Sequence, residues 1–348
     1  MKNRTFNCEI ITPMFLSSTN KLNPELRPPS IKAMMRFWWR AINYNSDNNE
    51  LKNKEGKIFG SADENFGKSK VIVRVKNADL NGNTSKDNLP NNYTAENVVF
   101  HRNNRDINLL NYFAYGPIAY NRNLRRPECI YKYIIPETKF DIVLKYKEEY
   151  EKDILKSLFF LSTFGSLGAK SRNGFGNFII KNISEFEPLG DLYTTNPVKN
   201  DNLKKILNQN IPNNSNNNLP KYTSLSRTHT KLYKLNNSYE KALDALTALQ
   251  EIYLRTRVLF NNENSSNNYT INDRVYLGSP IMAINKKDRR SKPYFIRVLR
   301  DGDGKYHSYL LYMGAEFTQN GNHNAKFKEI NNVFINNFRD NNNIKKIM

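Results

Sequence analysis

Six segments in the first half of the chain alternate between two periodicities, and their order, strand, helix, strand, strand, helix, strand, admits few folds. Strand patterning runs from Arg4 to Phe15. Pro28 and Pro29 then hold the chain extended and Ser30 is placed to cap free amides, so a helix is expected over 31–43. Val71 to Val75 is almost wholly β-branched and reads as a second strand, followed after an Asn-rich loop by a third from Phe140 to Tyr146. Ile154, Leu158, Leu161 and Phe164 recur at spacings of four and three, marking a second helix. Phe178 to Ile180 closes the series as a strand.

That order is the ferredoxin-like (RRM-like) plan of the α+β class, in which one sheet face lies under two helices and the other stays open to a ligand. Residues from about Glu187 to Lys221 are rich in Asn, Pro and Lys, and outside Leu203 to Leu207 they carry little apolar period. The organisation expected is therefore a first domain over 1–190, a connection over 191–221 and a second domain over 222–348. In the last, a helix is expected from Ser238 to Phe260, followed by a hairpin of Tyr294–Leu299 and Tyr306–Tyr312 around Asp301-Gly302-Asp303-Gly304. Its strand order is not legible.

Charge narrows the partners. The chain has 53 Lys plus Arg against 33 Asp plus Glu, a net charge of +20, and such a surplus favours a polyanion because each neutralised phosphate releases counterions. On the first helix Lys32, Arg36 and Arg40 fall on one face at four-residue steps, while Ile31, Met34, Met35, Trp38 and Ile42 gather on the other. One side reads as buried, the other as a cationic rail. Phe164 to Phe178 contributes Gly165, Gly168, Gly174 and Gly176 around Lys170, Ser171 and Arg172. Such a turn can aim amides at a phosphate, or can need glycine only for its own geometry. In the middle of the chain Arg102, Arg105, Arg122, Arg125 and Arg126 alternate with Tyr112, Phe113, Tyr115, Tyr120 and Tyr131, a mixture suited to gripping phosphates and stacking on bases.

Several classes are disfavoured. Gly168-Ala169-Lys170-Ser171 lacks the glycine before lysine and the strand-to-helix context of a nucleotide-triphosphate loop. Cys8 and Cys129 are too few for a disulfide framework or thiolate metal site, which fits a reducing cytoplasm. No targeting segment is legible, and the apolar run Ile154 to Leu167 is shorter than a bilayer span, so no membrane partner is expected. Four histidines, His101, His229, His307 and His323, show no metal-ligand spacing, and neither metal nor cofactor is expected.

Pro24 to Lys32 with Arg36-Phe37-Trp38-Trp39-Arg40, and Gly168 to Gly176, resemble the signature motifs of the CRISPR repeat-associated mysterious proteins, the RAMP superfamily. Leu277 to Ile281 and Arg289 to Val298 resemble a paired motif of the second half, and the match is nearest to the first subunit of the type III-B Cmr effector complex. Ala33 departs from the family's usual glycine, and Asn-rich insertions lengthen several loops. The resemblance implies tandem ferredoxin-like domains and a non-catalytic RNA-binding subunit near the guide 3′ end, in a complex acting against foreign RNA. Its partners would be guide RNA, target RNA or both, and the other Cmr subunits. The RNA contacts expected are Lys32, Arg36, Arg40, Gly168, Lys170, Ser171, Arg172, Gly174 and Gly176, with Arg102, Arg105, Arg125 and Arg126. The alternative is metal-independent cleavage of the guide precursor, with His101 or His229 as acid or base.

Overall fold

Along β1, Lys2–Ile10, Phe6, Cys8 and Ile10 are buried while Thr5 and Asn7 face out, the period-two signature of a sheet covered on one side. The computed structural model describes residues 1–44, 47–61, 66–100, 103–199, 201–212, 218–261, 271–278, 291–317 and 323–348. After β1 come α1 (Pro28–Ile42), α2 (Asn48–Phe59), β2 (Val71–Lys76), β3 (Lys139–Tyr146), α3 (Glu151–Phe164) and β4 (Phe178–Ile180). The four strands form one antiparallel sheet in the order β4-β1-β3-β2, with Phe6 opposite Ile142 and Cys8 between Phe140 and Ile180.

Helix α1 begins earlier than the sequence suggests. Pro28 and Pro29 form its first turn, where a missing N–H costs nothing, and Arg27 occupies the N-cap position without a side-chain bond. Ser30 is therefore inside the helix and not its cap. The additional helix α2 has a cap of its own, because Asp47 accepts from the amides of Asn49 and Glu50 at 2.8 and 3.3 Å. The first strand ends at Ile10, short of Phe15, and Met14 and Phe15 instead bridge to Ile134 and Ala169.

The expected connection carries helix α4 (Asn202–Asn210), whose Leu203, Ile206 and Leu207 are buried in the same core as Trp38. This part of the segment is docked, because an apolar i, i+3, i+4 stripe gains more from burial than from water. The second half then continues through β5 (Thr230–Leu235), α5 (Ala242–Val258), β6 (Tyr294–Arg300), β7 (Tyr306–Met313), α6 (Asn324–Arg339) and β8 (Ile344–Lys346). Its sheet is antiparallel in the order β6-β7-β5-β8.

That second sheet is buried on both faces. Tyr294, Ile296 and Val298 share a cluster with α5 and α6, while Phe295 and Leu299 share one with Trp38 and Phe160 of the first half. Near-continuous apolar strands follow from two covered faces. The layers run sheet, helices, sheet, helices, with α1 and α3 held between the two sheets. On the first sheet, Ile72 and Arg74 of β2 are exposed.

Polar bonds pin the same seam. Arg300 makes a two-pronged ion pair with buried Glu9 at 2.8 and 3.2 Å, and the Asn177 side chain accepts from the Val298 amide at 2.6 Å. Between β2 and β3 the chain inserts two ribbons, Thr94–Phe100 with Asn103–Asn108 and Ile118–Asn121 with Arg126–Cys129.

Candidate nucleic-acid interface

The buried face of α1 fixes where its cations point. Ile31, Met35, Trp38, Trp39 and Ile42 are buried, and the Trp39 indole donates to Asp153 at 2.9 Å. Lys32, Arg36 and Arg40 are consequently turned toward α2 and solvent. They do not form a free rail. Arg36 and Arg40 both reach Oε1 of Glu55, at 2.6 and 2.7 Å, and that carboxylate side chain is only 8% exposed. Three charges therefore sum to one positive. A groove of about 800 Å³ beside them is lined by Phe37, Arg40, Lys52, Glu55, Lys221 and Glu316, a mixed-charge surface. Lys32 is half-buried, and its burial, reinforced by Arg36, pulls the ammonium pKa below its ordinary value.

The glycine turn abuts this helix. Arg172 lies with its guanidinium 4.4 Å from the Phe295 ring centre and 5.7 Å from that of Phe37, and donates to the carbonyl of Lys292. Trp38 packs where a Cβ on Gly165 would stand. The two motifs are brought together. The glycines themselves serve packing. A Cβ at Gly176 would strike the Leu167 carbonyl, one at Gly174 the Leu246 side chain and one at Gly168 the Phe15 carbonyl, all three at positive φ. The lack of a side chain at Gly168, Gly174 and Gly176 is thus accounted for by this chain's own atoms, which occupy the space a Cβ would need.

Lys170, at φ 59°, carries the surface onward. Its ammonium stands about 3.6 Å from the space beside Gly116, at the foot of the ribbon 118–129, and burial lowers its pKa. Ser171, half-buried, opens the short turn that follows. On the ribbon Arg122, Arg125 and Arg126 are exposed, as are Tyr115 at 71% and Tyr120 at 61%, and the three arginines form no ion pair among the described residues. A large aromatic left in water beside unpaired guanidinium groups is the part of the surface best suited to a splayed nucleotide. Tyr131 is half-buried under Lys21. Arg105 is exposed on the other ribbon, which rests on α5 through Arg255 and the Glu96 carbonyl. Arg102 and His101 lie outside the described residues, as do Ser279 to Arg290 of the second-half motif.

One pairing was missed by sequence spacing. Nε2 of His307 is 2.7 Å from Asp301, across the hairpin turn, while Nδ1 is buried without a partner among the described residues. Asp301 also accepts from the amides of Asp303 and Lys305, so the pair organises a turn. Among the described residues no group of three or more His, Cys, Asp and Glu is arranged to hold a metal ion, and no helix is long and apolar enough to cross a membrane.

The model of the RAMP superfamily matches residues 7–179, the portion that contains α1, the glycine turn and both ribbons. Over these residues the chain belongs to this superfamily. Within it, the chain resembles the first subunit of the type III-B CRISPR Cmr effector complex. It is 26% identical over 332 residues to CRISPR system Cmr subunit Cmr1-1 of Pyrococcus furiosus, covering 90% of this chain and 88% of that protein. The crystal structure of Cmr1 from Pyrococcus furiosus in its apo form matches with a TM-score of 0.58 at 21% identity, covering 100% of this chain and 99% of that one. A chain of the cryo-EM structure of the type III-B Cmr-beta complex bound to cognate target RNA matches with a TM-score of 0.50 at 12% identity, over 95% and 99% of the two chains.

Proposed function

We propose that the chain is a non-catalytic, RNA-binding subunit of a type III-B CRISPR effector complex, working in the cytoplasm against foreign RNA near the 3′ end of the guide. Guide or target RNA and the other Cmr subunits are its partners, in keeping with its likeness to a chain of a target-bound Cmr complex. Two ferredoxin-like units divided at the 191–221 segment form its scaffold. Apart from insertions such as helix α2 and the two ribbons, each half runs strand, helix, strand, strand, helix, strand, and each sheet has its first strand between its fourth and third.

The observation that carries the reading is the track from α1 through Phe37, Arg172 and Lys170 to the exposed arginines and tyrosines of the ribbon 118–129. Lys170, Ser171, Arg125 and Arg126, with Arg122 and Tyr120, are its principal contacts. Lys32, Arg36, Arg40 and Arg172 flank them with charges partly spent inside the protein, and Arg105 adds positive potential from the second ribbon. Sequence readout is left to base pairing by the guide.

Titrating labelled single-stranded RNA between about 50 and 200 mM salt tests the reading, since neutralising six to ten phosphates costs ~10³-fold or more in affinity over that range. An affinity independent of salt removes the electrostatic basis of the proposal. Cleavage of a guide precursor by the purified chain in EDTA removes the word non-catalytic.

A further inference from the structure

Beneath the Arg172 and Lys170 end of the exposed track, orphaned polar atoms gather at one seam between the halves. Gln250, Tyr253 and Arg257 follow one another at three and four residues along α5 and share a face. The Gln250 carbonyl oxygen, the Tyr253 hydroxyl, the Arg257 Nε and the Lys292 ammonium are all buried without a hydrogen-bond partner among the described residues. Lys292 lies over the Tyr253 ring, its Nζ 4.6 Å from the ring centre and 5.8 Å from that of Phe113. The glycine turn closes the seam from the other side, where Arg172 donates to the Lys292 carbonyl and Gln250 donates to the Asn173 carbonyl at 2.9 Å. Asn173 in turn donates to the Phe113 carbonyl at 2.6 Å.

Three of the four orphans are donors, and the charges that act on Lys292 are all positive: Arg257, Arg172 and Lys170. Burial and these cations hold the Lys292 ammonium well below its ordinary pKa. Native proteins leave few buried polar groups unpaired, and donors left without partners along one seam lack an acceptor with several oxygens. We propose that this seam is a binding site for a single phosphate group, taken up among Lys292 Nζ, Arg257 Nε and the Tyr253 hydroxyl, with Arg172 and Lys170 supplying further positive potential. The site stands on its own geometry and does not depend on RNA binding at the exposed ribbon.

Thermal unfolding of the full chain is measured against inorganic phosphate, with chloride holding ionic strength constant. The melting temperature of the wild type is expected to climb with the logarithm of phosphate concentration, as for any ligand of the folded state, and to stay level in Lys292→Met. A level response in the wild type, or an equal climb in the variant, overturns the site. Should Lys292→Met fail to fold, Tyr253→Phe keeps the ring and removes one donor, and a weaker response is expected. Anomalous density from selenate soaked into wild-type crystals must then fall at the seam; its absence there likewise overturns the proposal. Saturating short RNA abolishes the phosphate response if a backbone phosphate is the occupant and leaves it intact if a free anion is, and both results support the site. If no RNA binds while phosphate still stabilises, the functional reading falls and the seam site stands.

Discussion

Arg297 of β6 donates through Nε to the carbonyl of Thr163 at 3.0 Å, so a fully buried guanidinium of the second half caps the C-terminal turn of helix α3 in the first. Its Nη2 donates to the carbonyls of Ser162 and Phe178 as well. The cation faces the negative end of a helix dipole, which offsets part of its desolvation, and burial still lowers its pKa to about 9. One side chain thereby ties a strand of one sheet, an edge strand of the other and a helix.

Replacing Arg297 with Met leaves those three carbonyls without their donor in a dry interface. A loss of roughly 2 to 5 kcal/mol is expected from urea unfolding, given about 1 to 3 kcal/mol for each buried group left unpaired. A loss below about 1 kcal/mol shows that the carbonyls find other donors.

Trp38 is wholly buried, with ring centres 5.7 Å from Phe295 and 6.1 Å from Phe160, so it touches both halves. Trp38→Ala is expected to cost about 3 to 5 kcal/mol, the range for truncating a large aromatic in a core. A single cooperative transition at lower urea is the expected form of the result. A variant as stable as wild type contradicts the packing described.

Glu55 supplies the sharpest test of how much the α1 arginines matter to RNA. Glu55→Gln removes the charge shared by Arg36 and Arg40, so RNA affinity at low salt should rise and the salt slope should steepen by ~0.7 to 0.9 for each additional phosphate contact. An unchanged slope in filter binding across salt means that the RNA does not pass over α1.

On the ribbon, Arg122, Arg125 and Arg126 are exposed and remote from the core. The triple alanine variant should unfold within about 0.5 kcal/mol of wild type while its salt slope falls by ~2 to 3. Retention of full RNA affinity by a folded triple variant moves the binding surface elsewhere.

Asp301 gives a pH signature. Burial works to raise its carboxyl pKa, but the contact with His307 and the amides of Lys305 and Asp303 outweigh it and hold the pKa below the ordinary 3.8. The folded state then binds its proton less readily than the unfolded chain does. The resulting stabilisation is present above pH 3.8 and is lost as pH falls through the folded-state value. Melting curves from pH 6 to 2, with Asp301→Asn as comparison, should show a flatter acid limb in the variant; parallel limbs contradict the assignment.

Much of the scaffold was legible because its signals are local. The β-branched run Val71 to Val75, the four-and-three spacing of Ile154 to Phe164 and the Asp301 to Gly304 turn all lie where their patterns place them. What escaped was set by partners distant in the chain. Helix α2 has weak apolar patterning and stands because Leu51, Ile58 and Phe59 are buried in the core beside α1, while its Glu55 meets two arginines. The same event ties two arginines of the apparent cationic rail to one buried carboxylate. Gly174 and Gly176 read equally well as phosphate cradle or packing, and the close approach of Leu246 and Leu167 that gives them a packing role is not visible in the local sequence. The seam around Lys292 could not be foreseen, since it joins residues near 113, 172, 253 and 292.

A sheet clad on both sides by pieces of two halves has a practical corollary. Severing the chain near residue 200 would give each fragment a greasy wall with nothing to lean on, and such fragments should clump when expressed apart and recover only when made together.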